Sequence, residues 1–91
     1  MVTHKQMHYE IIIKPSAQKD LDKLPFSEIK RIASKLEQLR ANPRPIGIQK
    51  LSDQEGFRIR SGKYRILFAI DDEARSIFVY RLKHRKNVYR K

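Results

Sequence analysis

Cysteine is absent from this 91-residue chain, which excludes disulfides and thiolate metal sites and leaves its stability to side-chain packing. Acidic residues are scarce. Ten Asp and Glu stand against twenty-one Lys and Arg, a formal net charge of +11. No apolar run approaches the length of a membrane span, and no isolated basic amphipathic helix stands out. The opening MVTHKQMHYE has no hydrophobic stretch of signal-peptide type, so the expected location is the cytoplasm. Repeats, linkers and low-complexity segments are also missing. Such a chain is expected to form one domain over residues 1–91, without room for a second lobe or a deep cofactor pocket, and no cofactor is expected.

What is present is positive charge, unevenly placed. Residues 57–91 hold eleven Lys and Arg against three acids, a net of +8 (11 − 3), whereas residues 1–56 hold ten against seven, a net of +3 (10 − 7). A sequence pI near 10.3 points to an anionic partner. Nucleic acid leads, an acidic protein follows, and an anionic membrane comes last. Hydrophobic residues make up 40% of the chain, enough for a globular core despite this charge.

Local patterning predicts the elements. Residues 1–7 read as a flexible arm. His8 to Lys14 reads as a strand because Ile11, Ile12 and Ile13 are β-branched and consecutive. Ala17, Leu21 and Leu24 have helical spacing after Pro15, with Ser16 a candidate cap and Pro25 a stop. Ser27 is a second candidate cap, before an apolar stripe at Ile29, Ile32, Ala33, Leu36 and Leu39. The two-proline segment ANPRPIG is a stiff loop, and IGIQKL a short extended piece. Residues 57–61, 64–70 and 76–82 then read as three strands joined by turns at Ser61-Gly62-Lys63 and Asp71–Ala74. The expected fold class is α+β: an N-terminal strand and a two-helix hairpin on one face of a twisted, mainly antiparallel sheet. The helical stripe is expected to bury Phe57, Ile59, Tyr64, Ile66 and Phe68.

By alternation, Arg58, Arg60 and Arg65 share the opposite face. Adjacent strands lie about 5 Å apart, so these like charges repel, and a bound phosphate gives a reason for them. A solvated outer face is the plainer alternative. His84, Arg85, Asn87 and Tyr89 cluster after the last strand, where an imidazole and a phenol near guanidiniums suit proton transfer at a phosphate ester. Tyr89 equally suits stacking on a base, or lying on the sheet edge as an ordinary tail residue. His4 and His8 are four apart but lack a third ligand, and Asp71, Asp72 and Glu73 read as a solvated hairpin end; no metal site is expected.

The segment GKYRILFAIDDEARSIFVYRLKHRKNVYR, with G-x-Y-R followed by H-R-x-x-[apolar]-Y, resembles the C-terminal half of RelE-type toxins of the RelE/ParE superfamily. YEIIIKPSAQKDLDKLP is similar to the family's opening strand and first helix. The resemblance spans residues 8–90. It implies a metal-independent endoribonuclease that cuts messenger RNA in the ribosomal decoding site by 2′-hydroxyl attack, leaving a 2′,3′-cyclic phosphate and a 5′-hydroxyl. It implies an acidic RelB-like antitoxin, and contact with operator DNA only through the toxin–antitoxin complex. By position, Arg65 would hold the scissile phosphate, Arg85 would be general acid or second phosphate contact, and Tyr89 would stack on the base and act as general base. Arg58, Arg60, Lys63 and His84 would bind RNA or phosphate. Arg58 and Arg60 stand where the best-known members carry lysines. Arginine effectively never deprotonates, so neither is a proton acceptor, and His84 is kept as a second acid/base candidate. Two other expectations stand beside this one: a non-catalytic ParE-like poison of DNA gyrase, and a basic module that binds nucleic acid only through an acidic partner.

Overall fold

The segment Ser76–His84, apolar on both faces in its first half, takes a place inside the sheet as that pattern predicts, whereas Glu10–Ile13, with three consecutive isoleucines, is an edge strand. The computed structural model describes residues 8–52 and 54–84. The expected arm at residues 1–7, with His4, lies outside the described residues, as do Arg85, Asn87 and Tyr89. In chain order the elements are β1 (Glu10–Ile13), α1 (Pro15–Asp22), α2 (Phe26–Ala41), β2 (Gln49–Lys50), β3 (Phe57–Ser61), β4 (Tyr64–Asp71) and β5 (Ser76–His84). The strands form one mixed sheet ordered β1-β5-β4-β3-β2. β1 runs parallel to β5 and every other neighbouring pair is antiparallel. No helix among the described residues is long and apolar enough to cross a membrane.

The helices cover one face. Ala17, Ile32 and Leu39 from the helices close over Ile59, Ile66, Phe68, Ile77, Val79 and Leu82, all buried. Ile29, Leu36, Phe57 and Tyr64, expected in this layer, are half-buried, and Ala33 is exposed. Neither expected cap operates. Lys14 and Pro25 occupy the N-cap positions, and neither helix has a side-chain cap. Pro15 is inside the first turn of α1, where its missing N–H costs nothing. Ser16 instead donates its hydroxyl to the Tyr80 carbonyl at 2.7 Å.

One irregularity sets the chemistry of β5. Leu67 pairs with Arg81 and Phe68 with Val79, so Tyr80 is an extra residue, a β-bulge. It reverses the parity of the strand. Ile77 and Val79 face the helices before it, and Leu82 faces them after it. Arg81 and Lys83 are thereby turned to the outer face, opposite Leu67 and Arg65.

The bulge leans on a glycine. Gly56 has φ +122°, and a Cβ built there would lie 2.7 Å from the Tyr80 hydroxyl and 2.9 Å from the Phe68 carbonyl oxygen. The second neighbour is backbone and cannot swing away. Gly56→Ala is expected to destabilise the fold by about 1–3 kcal/mol. A thermal melt checks this, and an unchanged Tm would refute it.

Candidate nucleic-acid interface

The outer face takes its charge from strand register. Arg60 lies directly across from Arg65, and Lys83 flanks Arg65 on the other side. One strand step away, Leu67 sits between Arg58 and Arg81. Arg58, Arg60 and Arg65 therefore share one face, as alternation predicts, and β5 adds two further cations to it. Arg65 is only 9% exposed and is the most enclosed of the five, while Arg60 is exposed and Arg58 half-buried. The Arg58 Nε donates to the Gln49 side-chain oxygen at 3.0 Å, which fixes that guanidinium against β2. Lys63 is exposed in the two-residue turn between β3 and β4. Like charges placed directly across a strand pair destabilise it. An anion on this face would relieve that repulsion.

His84 is not part of this face. It pairs across from Tyr64, and the two rings meet edge-to-face with centroids 5.1 Å apart. The bulge puts it on the helix side, so Lys83, not His84, accompanies Arg65. The expected placements of Arg85 and Tyr89 fall outside the described residues.

Arg81 is held from an unexpected quarter. Asp20 of α1 accepts from its Nε at 2.8 Å and its Nη2 at 3.4 Å, and also from the Leu82 amide at 2.8 Å. Burial pushes the Asp20 carboxyl upward, but hydrogen bonds from Arg81 and the Leu82 amide, with the charges of Arg81 and Lys23, outweigh it and hold the group below the ordinary carboxylate range. A signal for this existed in the sequence. Asp20 falls three residues after Ala17 and four before Leu24, on the apolar stripe of the helix, where a carboxylate needs a partner.

The hairpin end at Asp71–Glu73 is not merely solvated. Asp72 takes two hydrogen bonds from the Arg44 guanidinium, at 3.2 and 3.0 Å, and one from the Tyr9 hydroxyl at 2.8 Å. Arg44, then Tyr9, lower the Asp72 carboxyl, and the same hydrogen bond raises the Tyr9 phenol. This clip ties the two-proline loop to the β4–β5 turn and to the start of β1. It lies at the far end of β4 from Arg65.

Comparison with known proteins places this geometry. Residues 11–89 match the model of the ParE toxin of type II toxin–antitoxin systems, parDE. The chain belongs to the RelE/ParE family of type II toxins. It is 30% identical to the RelE1 toxin of Methanocaldococcus jannaschii, over 92% of this chain and 98% of that one. Toxin RelG of Mycobacterium tuberculosis is 31% identical, covering 93% and 100% respectively. Among solved structures, the toxin–antitoxin complex RelBE2 of Mycobacterium tuberculosis superposes with a TM-score of 0.77 at 29% identity, covering 87% of this toxin and 93% of that chain.

The Asp20–Arg81 contact gives the toxin a pH-dependent element. A carboxyl depressed by folding contributes stability that is present above its unfolded pKa, about 3.9, and lost as pH falls through the lower folded value. Asp20→Asn should therefore melt below the wild type at pH 6, by roughly 1–3 kcal/mol for a charge-assisted contact. That gap should narrow as pH drops below about 4. Parallel melting curves at pH 6 and pH 3 check this, and a gap that does not change would contradict it.

Proposed function

We propose that this toxin is a metal-independent endoribonuclease that cleaves messenger RNA in the ribosomal decoding site and so arrests translation. The observation that carries the reading is the enclosure of Arg65 between Arg60 and Lys83. A guanidinium held at the centre of a cationic sheet offers paired donors to a phosphate whose charge grows in the transition state. The 2′-oxygen attacks the adjacent phosphorus, the bond from phosphorus to the 5′-oxygen breaks, and a 2′,3′-cyclic phosphate and a 5′-hydroxyl result. One proton leaves the 2′-hydroxyl and one reaches the 5′-oxygen. Arg58 and Arg60 stabilise charge without exchanging protons. Tyr89 is assigned as base and stacking platform, and Arg85 as acid or second phosphate contact, from the family motif HRKNVY. Lys63 and Lys83 add contacts to the RNA backbone.

The expected partners are the ribosome with its message, and an acidic RelB-like antitoxin that blocks the same face. Operator DNA is reached through the antitoxin complex, in the cytoplasm. The antitoxin is supported by the complex in which the relative RelBE2 was solved. A second reading, poisoning of DNA gyrase by binding, has one specific support: the matching family model is described by its ParE member.

Arg65→Ala should lower cleavage of a message on programmed ribosomes by about 10²–10³-fold. Arg65→Ala and Tyr89→Phe should each relieve growth arrest when the toxin is made without antitoxin. Primer extension on cellular transcripts after brief induction separates the readings. Cuts in coding frames support the nuclease, whereas intact transcripts with damaged DNA support the gyrase poison.

A further inference from the structure

The outer face does not end at β5. β1 pairs with β5 only as far as Val79, so among the described residues the outer edge of β5 from Tyr80 onward has no strand beside it. The C-terminal half of α1 stands there instead. Between helix and strand opens a cleft of about 650 Å³, lined among others by Asp20, Lys23, Tyr64, Arg81, Lys83 and His84. Its size falls within the roughly 300–1,000 Å³ of small-ligand clefts.

The chemistry of the lining is specific. Lys23, Arg81 and Lys83 bring three positive charges. The carboxylate of Asp20 is committed to Arg81 and to the Leu82 amide, so it orients a cation and leaves the cleft electropositive. Half-buried Tyr64 and His84, already edge-to-face, supply an aromatic wall. Cations lining a groove beside an aromatic platform are what a single-stranded nucleotide requires: the phosphate takes the charge and the base takes the ring. Lys83 links the cleft to the outer face, because it is the cross-strand neighbour of Arg65.

We propose that this cleft is a subsite for one nucleotide of single-stranded RNA flanking the nucleotide held at Arg65, with its phosphate between Lys23 and Lys83 and its base on the Tyr64–His84 pair. This rests on the reading of the outer face as an RNA site. Asp20 is a positioning residue in it, acting through Arg81. The subsite gives the toxin a contact to message outside the scissile step, and hence a means of preferring one neighbouring base over another.

The test uses the full chain in isolation and a 2′-O-methyl RNA trinucleotide, which lacks the attacking hydroxyl. NMR titration of the wild type should shift the ring signals of Tyr64 and His84 with the trinucleotide but not with inorganic phosphate alone. In fluorescence anisotropy, Lys23→Ala combined with His84→Ala should weaken binding about tenfold or more. Lys50→Ala, one charge removed at the opposite edge of the sheet, should weaken it by less than about threefold. Unmoved ring signals, or a double variant no weaker than Lys50→Ala, would overturn the subsite. So would an absence of binding at millimolar RNA. Arg65→Ala separates the two levels of the argument. If it weakens binding while the cleft variants do not, the outer-face reading stands and the subsite falls. If the cleft variants weaken binding and Arg65→Ala does not, the cleft stands as an RNA site and the Arg65-centred reading falls.

Discussion

A strand edge with nothing beside it is a liability, and the organisation of this molecule follows from how one such edge is closed. β1 is four residues long and β5 is nine, so more than half of β5 outlasts its parallel partner. The chain solves this by turning directly into α1. The Lys14 amide donates to the Val79 carbonyl, the Ser16 hydroxyl to the Tyr80 carbonyl, and Asp20 accepts from the Leu82 amide. Three successive groups of a turn and a helix thus imitate the missing strand. The same closure fixes Arg81, and with it one border of the cationic face.

Much of the fold was legible because it rests on local rules. Three apolar steps at helical spacing mark α2, and the alternation of Phe57, Arg58, Ile59 and Arg60 marks β3. The pairing of Arg60 with Arg65 follows from a two-residue turn at Gly62-Lys63. What stayed hidden depends on one residue or on distant partners. The run Ile77–Tyr80 reads as a strand apolar on both faces, but part of that signal is a bulge. Parity counted straight through it sends His84 to the wrong side. Ser16 and Ser27 sit where caps are common, yet with prolines at 15 and 25 the helices start two residues earlier than those caps would give. Asp72 gave no local hint of Arg44, twenty-eight residues away.

Charge is distributed to suit this architecture. One end of β4 carries Arg65 among its cationic neighbours, and the other is neutralised by Asp72 between Arg44 and Tyr9. The molecule is therefore polar along the strand direction, and an approaching polyanion meets a directional field. Exposed pairs such as Arg40 with Glu37 add little to stability by comparison. The family comparisons fit this picture at the level of the toxin class. The cationic face is the feature on which the proposed nuclease reading rests.

Finally, the extra residue at Tyr80 makes strand register a stricter requirement than strand composition. Exchanging Arg81 for Lys, or Leu82 for Ile, keeps every side chain on its present side. Pairing Tyr80 straight into the ladder, without the bulge, would drive Arg81 and Lys83 under the helices and push Leu82 into water. The cationic surface and the hydrophobic interior would trade members in one step, with no change in amino-acid type at any position.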